Sequence, residues 1–186
     1  GAAIGVKKAK LIVTAGRLMP QKNQKMLIQA FAKVAKKYTD YKLVIYGEGP
    51  ERKNLEDLIK TLELSEKILL PGNVSDLHER MKNADLFVLS SDYEGMPNAL
   101  IEAMCLGLPV ISTKVSGTTE LVLRDKNGIL VDCNSEEQLI SAIDEILSDD
   151  EKMEQYAHEN VKLAEKISID LITREWTDFI KEVCKV

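Results

Sequence analysis

The feature that most constrains this chain is an alternation. Short runs of apolar residues are separated by stretches whose apolar residues recur at helical spacing. The runs are LIVTA (11–15), KLVIY (42–46), ILL (68–70), LFVLS (86–90), PVIS (109–112) and GILV (128–131). Each has strand length and is apolar on both alternating positions, so neither face of the sheet it joins can lie open to water. Between them, Leu27, Phe31, Val34 and Tyr38 share one face of a helix expected over 23–38, and Leu55, Leu58, Ile59 and Leu62 one over 50–62. A short helix is expected near 75–82, and a buried one over 97–106 that Gly107 ends. Ser135 with Gln138 has the spacing of a capping box for a helix burying Leu139, Ile143, Ile146 and Leu147. Two more helices are expected over about 150–166 and 169–184. Strands alternating with helices imply an α/β fold, a Rossmann-like doubly wound parallel six-stranded sheet of order 3-2-1-4-5-6. Residues 1–9 read as a linker, 10–148 as the Rossmann-like domain and 149–186 as helices packed on it.

Composition narrows the function classes. Twenty-five Lys and Arg against 30 Asp and Glu give a net charge of −5, which argues against a broad nucleic-acid surface. Cys105, Cys133 and Cys184 are widely spaced, so they read as reduced thiols in a cytoplasmic setting. His78 and His158 sit near no cysteine in sequence, and no metal site is expected. No signal peptide is visible. The apolar segment from Gly95 to Thr113 is interrupted by Pro97, Glu102, Gly107 and Pro109, so it reads as a buried helix and strand, not a membrane span.

In such a sheet, ligands sit beyond the carboxyl ends of the strands where strand order reverses, here between the first and fourth strands. The loop after the first strand, GRLMPQKN, carries Arg17 and Lys22. The loop after the fourth, SDYEGMPN, carries Glu94 and leads into a helix N-terminus. Two cations and a helix N-terminus suit a diphosphate. Glu102 is the only charged residue between Gly95 and Thr113 and reads as a buried carboxylate. Burying that charge demands good partners, either structural ones or ligand hydroxyls such as those of a ribose.

These residues resemble a known family. Glu94-GMPNALI-Glu102, followed by AM-x-x-G-x-PVIS, is similar to the E-x7-E signature of retaining glycosyltransferases of the GT-B fold, family 4 (glycosyl transferases group 1). GRLMPQKN resembles the family's GR-x4-K loop, VIYGEGPER its G-x-GP turn, and ILLPGNVSDL its base-contacting segment. SGTTELV and NGILV resemble the stretch that follows, so the likeness runs in order from Leu11 to Leu147. It implies the C-terminal, donor-binding domain of such an enzyme. Arg17 and Lys22 would bind the diphosphate of a nucleotide-sugar and stabilise the leaving group without a metal or other cofactor. Glu94 would contact the donor sugar and Glu102 the ribose. Gly16, Gly47, Gly95, Met96, Pro97, Asn98 and Ala99 would line the donor site. Backbone at Asn73 and Val74 would read the base, with a uridine donor favoured over guanosine, and Glu120 would have a lesser donor-side role.

The implied reaction is retaining transfer of a hexose to an acceptor hydroxyl in glycan, polysaccharide or glycolipid synthesis. The acceptor would be bound by an N-terminal domain outside this sequence, in an enzyme roughly twice as long, and the fragment alone would be inactive. The full enzyme would be cytoplasmic, with association at the membrane face left open. Other readings are a nucleotide-sugar epimerase of the same fold and a non-catalytic nucleotide-sugar-binding or interaction module. A dinucleotide oxidoreductase fits poorly, since no G-x-G-x-x-G follows the first strand. Ile169, Ile172, Trp176, Phe179 and Val183 form a final apolar stripe suited to core packing or self-association.

Overall fold

The strands expected from the apolar runs form in the computed structural model, which describes residues 10–166. They are β1 (Lys10–Ala15), β2 (Tyr41–Tyr46), β3 (Ile68–Gly72), β4 (Leu86–Leu89), β5 (Val110–Thr113) and β6 (Gly128–Val131). All pair in parallel, in the order β3-β2-β1-β4-β5-β6, with Ile12 level with Leu43 on one side and Leu86 on the other. Alternation along the strands then builds two cores. Ile12, Leu43, Ile45, Val88, Ile111 and Ile129 face one layer of helices, while Val13, Val44, Phe87, Leu89 and Val110 face the other. Burial on both faces is why the runs are apolar at every position instead of every second one.

The first layer holds α1 (Gln24–Val34), α2 (Arg52–Thr61) and α6 (Glu136–Leu147); the second holds α3 (Leu77–Met81), α4 (Asn98–Cys105) and α5 (Thr118–Leu121). Leu27, Phe31 and Val34 of α1 are buried as their spacing predicts, but the helix stops at Val34 and Tyr38 lies beyond it. The Tyr38 hydroxyl donates to Asp144 Oδ1 at 2.8 Å, and Lys37 Nζ reaches the same oxygen at 2.5 Å, tying the turn after α1 to α6. Those two hydrogen bonds, Lys37 first, hold the Asp144 carboxyl below its ordinary range.

The capping box does not form. Ser135 precedes α6 but its side chain makes no capping bond. Gln138 instead turns to Asp132, accepting from its N–H at 2.8 Å and donating to its carboxylate at 2.9 Å. A carboxamide both donates and accepts, so it satisfies the end of β6 and the Asp132 side chain together.

Helix α7 (Asp150–Lys166) closes the β6 side, packing on both α4 and α6. Its Asn160 is fully buried and donates to Leu108 O at 2.7 Å and Asn127 O at 2.9 Å. Cys105 is exposed and Cys133 partly buried, both as free thiols. The linker expected over 1–9, the helix expected over 169–184, its apolar stripe and Cys184 lie outside the described residues.

Candidate active site

Because every strand runs the same way, the loops after β1 to β5 all leave from one edge of the sheet. β1 and β4 are neighbours, yet β1 leads to α1 in one layer and β4 to α4 in the other. That divergence marks the place where a crevice forms, and Gly16, Arg17, Lys22 and Glu94 lie on the two loops that border it.

The β1 and β2 loops lie backbone against backbone. Gly16 N–H donates to Tyr46 O at 3.0 Å, Leu18 N–H to Glu48 O at 2.9 Å, and Glu51 N–H to Leu18 O at 3.0 Å. A Cβ on Gly47 would stand 2.0 Å from Gly16 O, and one on Gly49 2.3 Å from Leu18 O. Glycine is therefore required there for close approach, and it braces the loop that carries Arg17 and Lys22.

Lys22 and Glu94 meet. Lys22 Nζ lies 2.6 Å from Glu94 Oε1, and the Ser91 hydroxyl donates to the same oxygen at 2.5 Å. Their side chains are 21% and 6% exposed, so the carboxylate, read from sequence as a loop residue, is the more buried of the two. Around them the loops after β1 and β4 are stitched together. Ser90 Oγ donates to Lys22 O at 2.9 Å, Asp92 N–H to Gln21 O at 2.8 Å, Asn23 Nδ2 to Asp92 Oδ1 at 3.0 Å, and the Tyr93 hydroxyl to Gln21 Oε1 at 2.8 Å. Asn23, in the left-handed region at φ 44°, also caps α1 by accepting from Met26 N–H at 3.2 Å. Arg17 is exposed, and its side chain makes no hydrogen bond or ion pair among the described residues.

Helix α4 begins at Asn98, with Pro97 buried at its N-cap and no side chain capping it. Asn98 N–H bonds to Met96 O at 3.0 Å, while the N–H groups of Gly95, Met96 and Ala99 make no hydrogen bond among the described residues. Space beyond Gly95 is open, and Met96 is largely exposed. Free amides at a helix N-terminus beside Lys22 make an anion-binding edge.

Glu102 departs from expectation. Its side chain is 42% exposed, not buried, and its Oε2 lies 3.2 Å from His78 Nε2 of α3. Leu100, Ala103 and Met104 take the buried side of α4, which leaves Glu102 and Cys105 on the open side. Asn73 is exposed and Val74 half-buried just past β3; neither backbone N–H is bonded among the described residues. Glu120 is not gathered with the others: it lines a small recess with Lys126, Glu159, Lys162 and Leu163, toward α7. Sequence reasoning missed Ser91 and His78. The one visible signal for Ser91 was a hydroxyl three positions before Glu94 at the end of a buried strand.

The family model for glycosyl transferases group 1 matches residues 3–163. The chain is 36% identical over 166 residues to the N-acetylgalactosamine-N,N'-diacetylbacillosaminyl-diphospho-undecaprenol 4-alpha-N-acetylgalactosaminyltransferase of Campylobacter jejuni, covering 87% of this chain and 45% of that protein. Among solved structures it resembles the C-terminal domain of the group 1 family protein LpcC from Francisella tularensis, with a TM-score of 0.79, 28% identity and 85% of each chain covered. It also resembles Anabaena HepE in complex with UDP, with a TM-score of 0.86, 25% identity, and 96% of this chain and 50% of that one covered. The chain thus spans about half the length of HepE and slightly less of the Campylobacter relative. Among the described residues no helix is long and apolar enough to cross a membrane.

Proposed function

The chain belongs to the group 1 glycosyl transferases and has the fold of the C-terminal domain of a GT-B enzyme, and from this premise we propose that it binds the donor in a retaining hexosyl transfer. The donor is a nucleotide-diphosphate sugar, and uridine is favoured because HepE was solved with UDP. The observation that carries the reading is the buried Glu94 carboxylate held by Lys22 at 2.6 Å, beside an uncapped helix N-terminus in the crevice between β1 and β4.

Each group has a task in that reading. Arg17 and Lys22, with the amides of Gly95, Met96 and Ala99, take the diphosphate, on which negative charge grows as the glycosyl bond breaks. Preorganised donors there stabilise the transition state more than the ground state. With those donors supplying the charge, transfer requires no divalent ion. Glu94 accepts hydrogen bonds from the sugar hydroxyls, and Glu102 from the ribose. The free amides beyond β3, at Asn73 and Val74, meet the base. Acceptor binding falls to chain outside this sequence, in a cytoplasmic enzyme of glycan or glycolipid assembly.

The test is Lys22→Ala in a full-length protein containing this chain, assayed for transfer from UDP-sugars with and without a metal chelator. Loss of a charged donor to the leaving group lowers kcat by about 100–1,000-fold. Unchanged turnover, or turnover that stops when divalent ions are removed, contradicts the assignment.

A further inference from the structure

Glu94 has two hydrogen-bond donors in this structure, and they differ in kind. Lys22 Nζ is an ammonium on a flexible stem, and a diphosphate arriving at the α4 N-terminus offers it a stronger concentration of negative charge. Ser91 Oγ, by contrast, is fixed. Ser91 is fully buried, and its carbonyl accepts a hydrogen bond from Thr113 Oγ1 at 2.5 Å. Thr113 is itself buried in β5, and its own carbonyl accepts from Thr118 Oγ1 at 2.9 Å. The chain from Thr118 through Thr113 to Ser91 thus reaches Glu94 from within the fold, and a ligand at the crevice does not compete for it. Both donors occupy Oε1, while Oε2 accepts no hydrogen bond among the described residues. A carboxylate only 6% exposed needs such a fixed donor once its cation is shared.

We propose that Ser91 is a positioning residue for the donor sugar: its hydroxyl holds Glu94 Oε1, so that Oε2 stays presented to the sugar hydroxyls when Lys22 moves onto the diphosphate. This rests on the donor-site reading above and adds a residue to it. Lys22 is then shared between sugar and diphosphate recognition, whereas Ser91 serves the sugar alone.

The experiment is calorimetric titration of the chain with UDP and with UDP-glucose, UDP-galactose and their N-acetyl forms, comparing the original protein, Ser91→Ala, Glu94→Ala and the double variant. Ser91→Ala is expected to weaken the tightest UDP-sugar by about tenfold, a charged hydrogen bond's worth, with UDP affinity unchanged. UDP affinity serves as the check that the variant is folded. In the Glu94→Ala background, where Ser91 has no side-chain acceptor left at position 94, the serine substitution should cost little more, because the two residues act as a unit. Equal weakening of UDP and UDP-sugar, or full additivity in the double variant, overturns the proposal. If the original chain binds neither ligand, the donor-site reading falls and the Ser91 assignment falls with it.

Discussion

Glu94 and Glu102 stand at the two ends of one short motif, and the fold gives them opposite settings. Glu94 is enclosed by Lys22 and Ser91, whereas Glu102 faces outward from α4 and, among the described residues, meets only His78. Their expected ligand contacts differ accordingly, since a ribose is present in UDP and in UDP-sugar but the donor sugar only in the latter. Glu102→Ala is therefore expected to weaken both ligands alike, by about tenfold, and Glu94→Ala to weaken UDP-sugar selectively by a similar factor. Calorimetry on the two variants checks this, and a reversed pattern would exchange their roles. The exposure of Glu102 was not legible in the sequence because a helix of eight residues, nearly all apolar, looks buried all round. Only the layer it packs on decides which side is wet. The burial of Glu94 was hidden for the converse reason: its partners lie 72 and three positions away, and the distant one arrives only once β1 and β4 pair.

At the scale of elements, local chemistry was legible and choice among partners was not. The apolar runs marked all six strands, and the helical stripes marked α1, α2 and α6, because each pattern is set by the pleat or the helical turn alone. Ser135 and Gln138 had capping spacing, but Asp132 lay close enough to claim the glutamine. Asn160 is a similar case, a polar residue in the middle of α7 with nothing local to explain it. Its amide binds two buried carbonyls, at the entrance to β5 and the entrance to β6, and so fastens α7 to the sheet. Its own Oδ1 is buried and has no partner among the described residues. Asn160→Ala leaves both carbonyls unpaired and removes one unsatisfied acceptor, for a net cost of about 2 kcal/mol. A drop in melting midpoint of about 4–8 °C follows for a domain of this size. Thermal unfolding followed by circular dichroism measures it, and an unchanged midpoint would show that these bonds do not hold the helix.

For the molecule as a whole, parallel strands decide where chemistry can be gathered. They send the β1, β2, β3 and β4 loops to one edge, so residues as far apart as Arg17 and Glu102 can serve one ligand. The chain is net acidic at −5, so attraction for an anionic donor must be local to that edge. A competing site is easily imagined in a recess of about 570 Å3 between α1 and the connection from α2 to β3, lined by Lys33, Lys36 and Lys67. Lys33 there is already paired with Glu136, and Lys67 with the carbonyl of Thr39, whereas Arg17 and the amides of Gly95, Met96 and Ala99 have no partner among the described residues. Ligand linkage separates the two sites. A UDP-sugar at one hundred times its Kd adds about 2.7 kcal/mol of apparent stability, which raises the melting midpoint by about 5–10 °C. Hydrogen exchange under the same conditions should show new protection at 16–23, 47–49, 73–74 and 93–99, with none over 29–36 and 62–67. Protection confined to those last two segments would move the ligand to the lysine recess and leave the crevice without a role in donor binding.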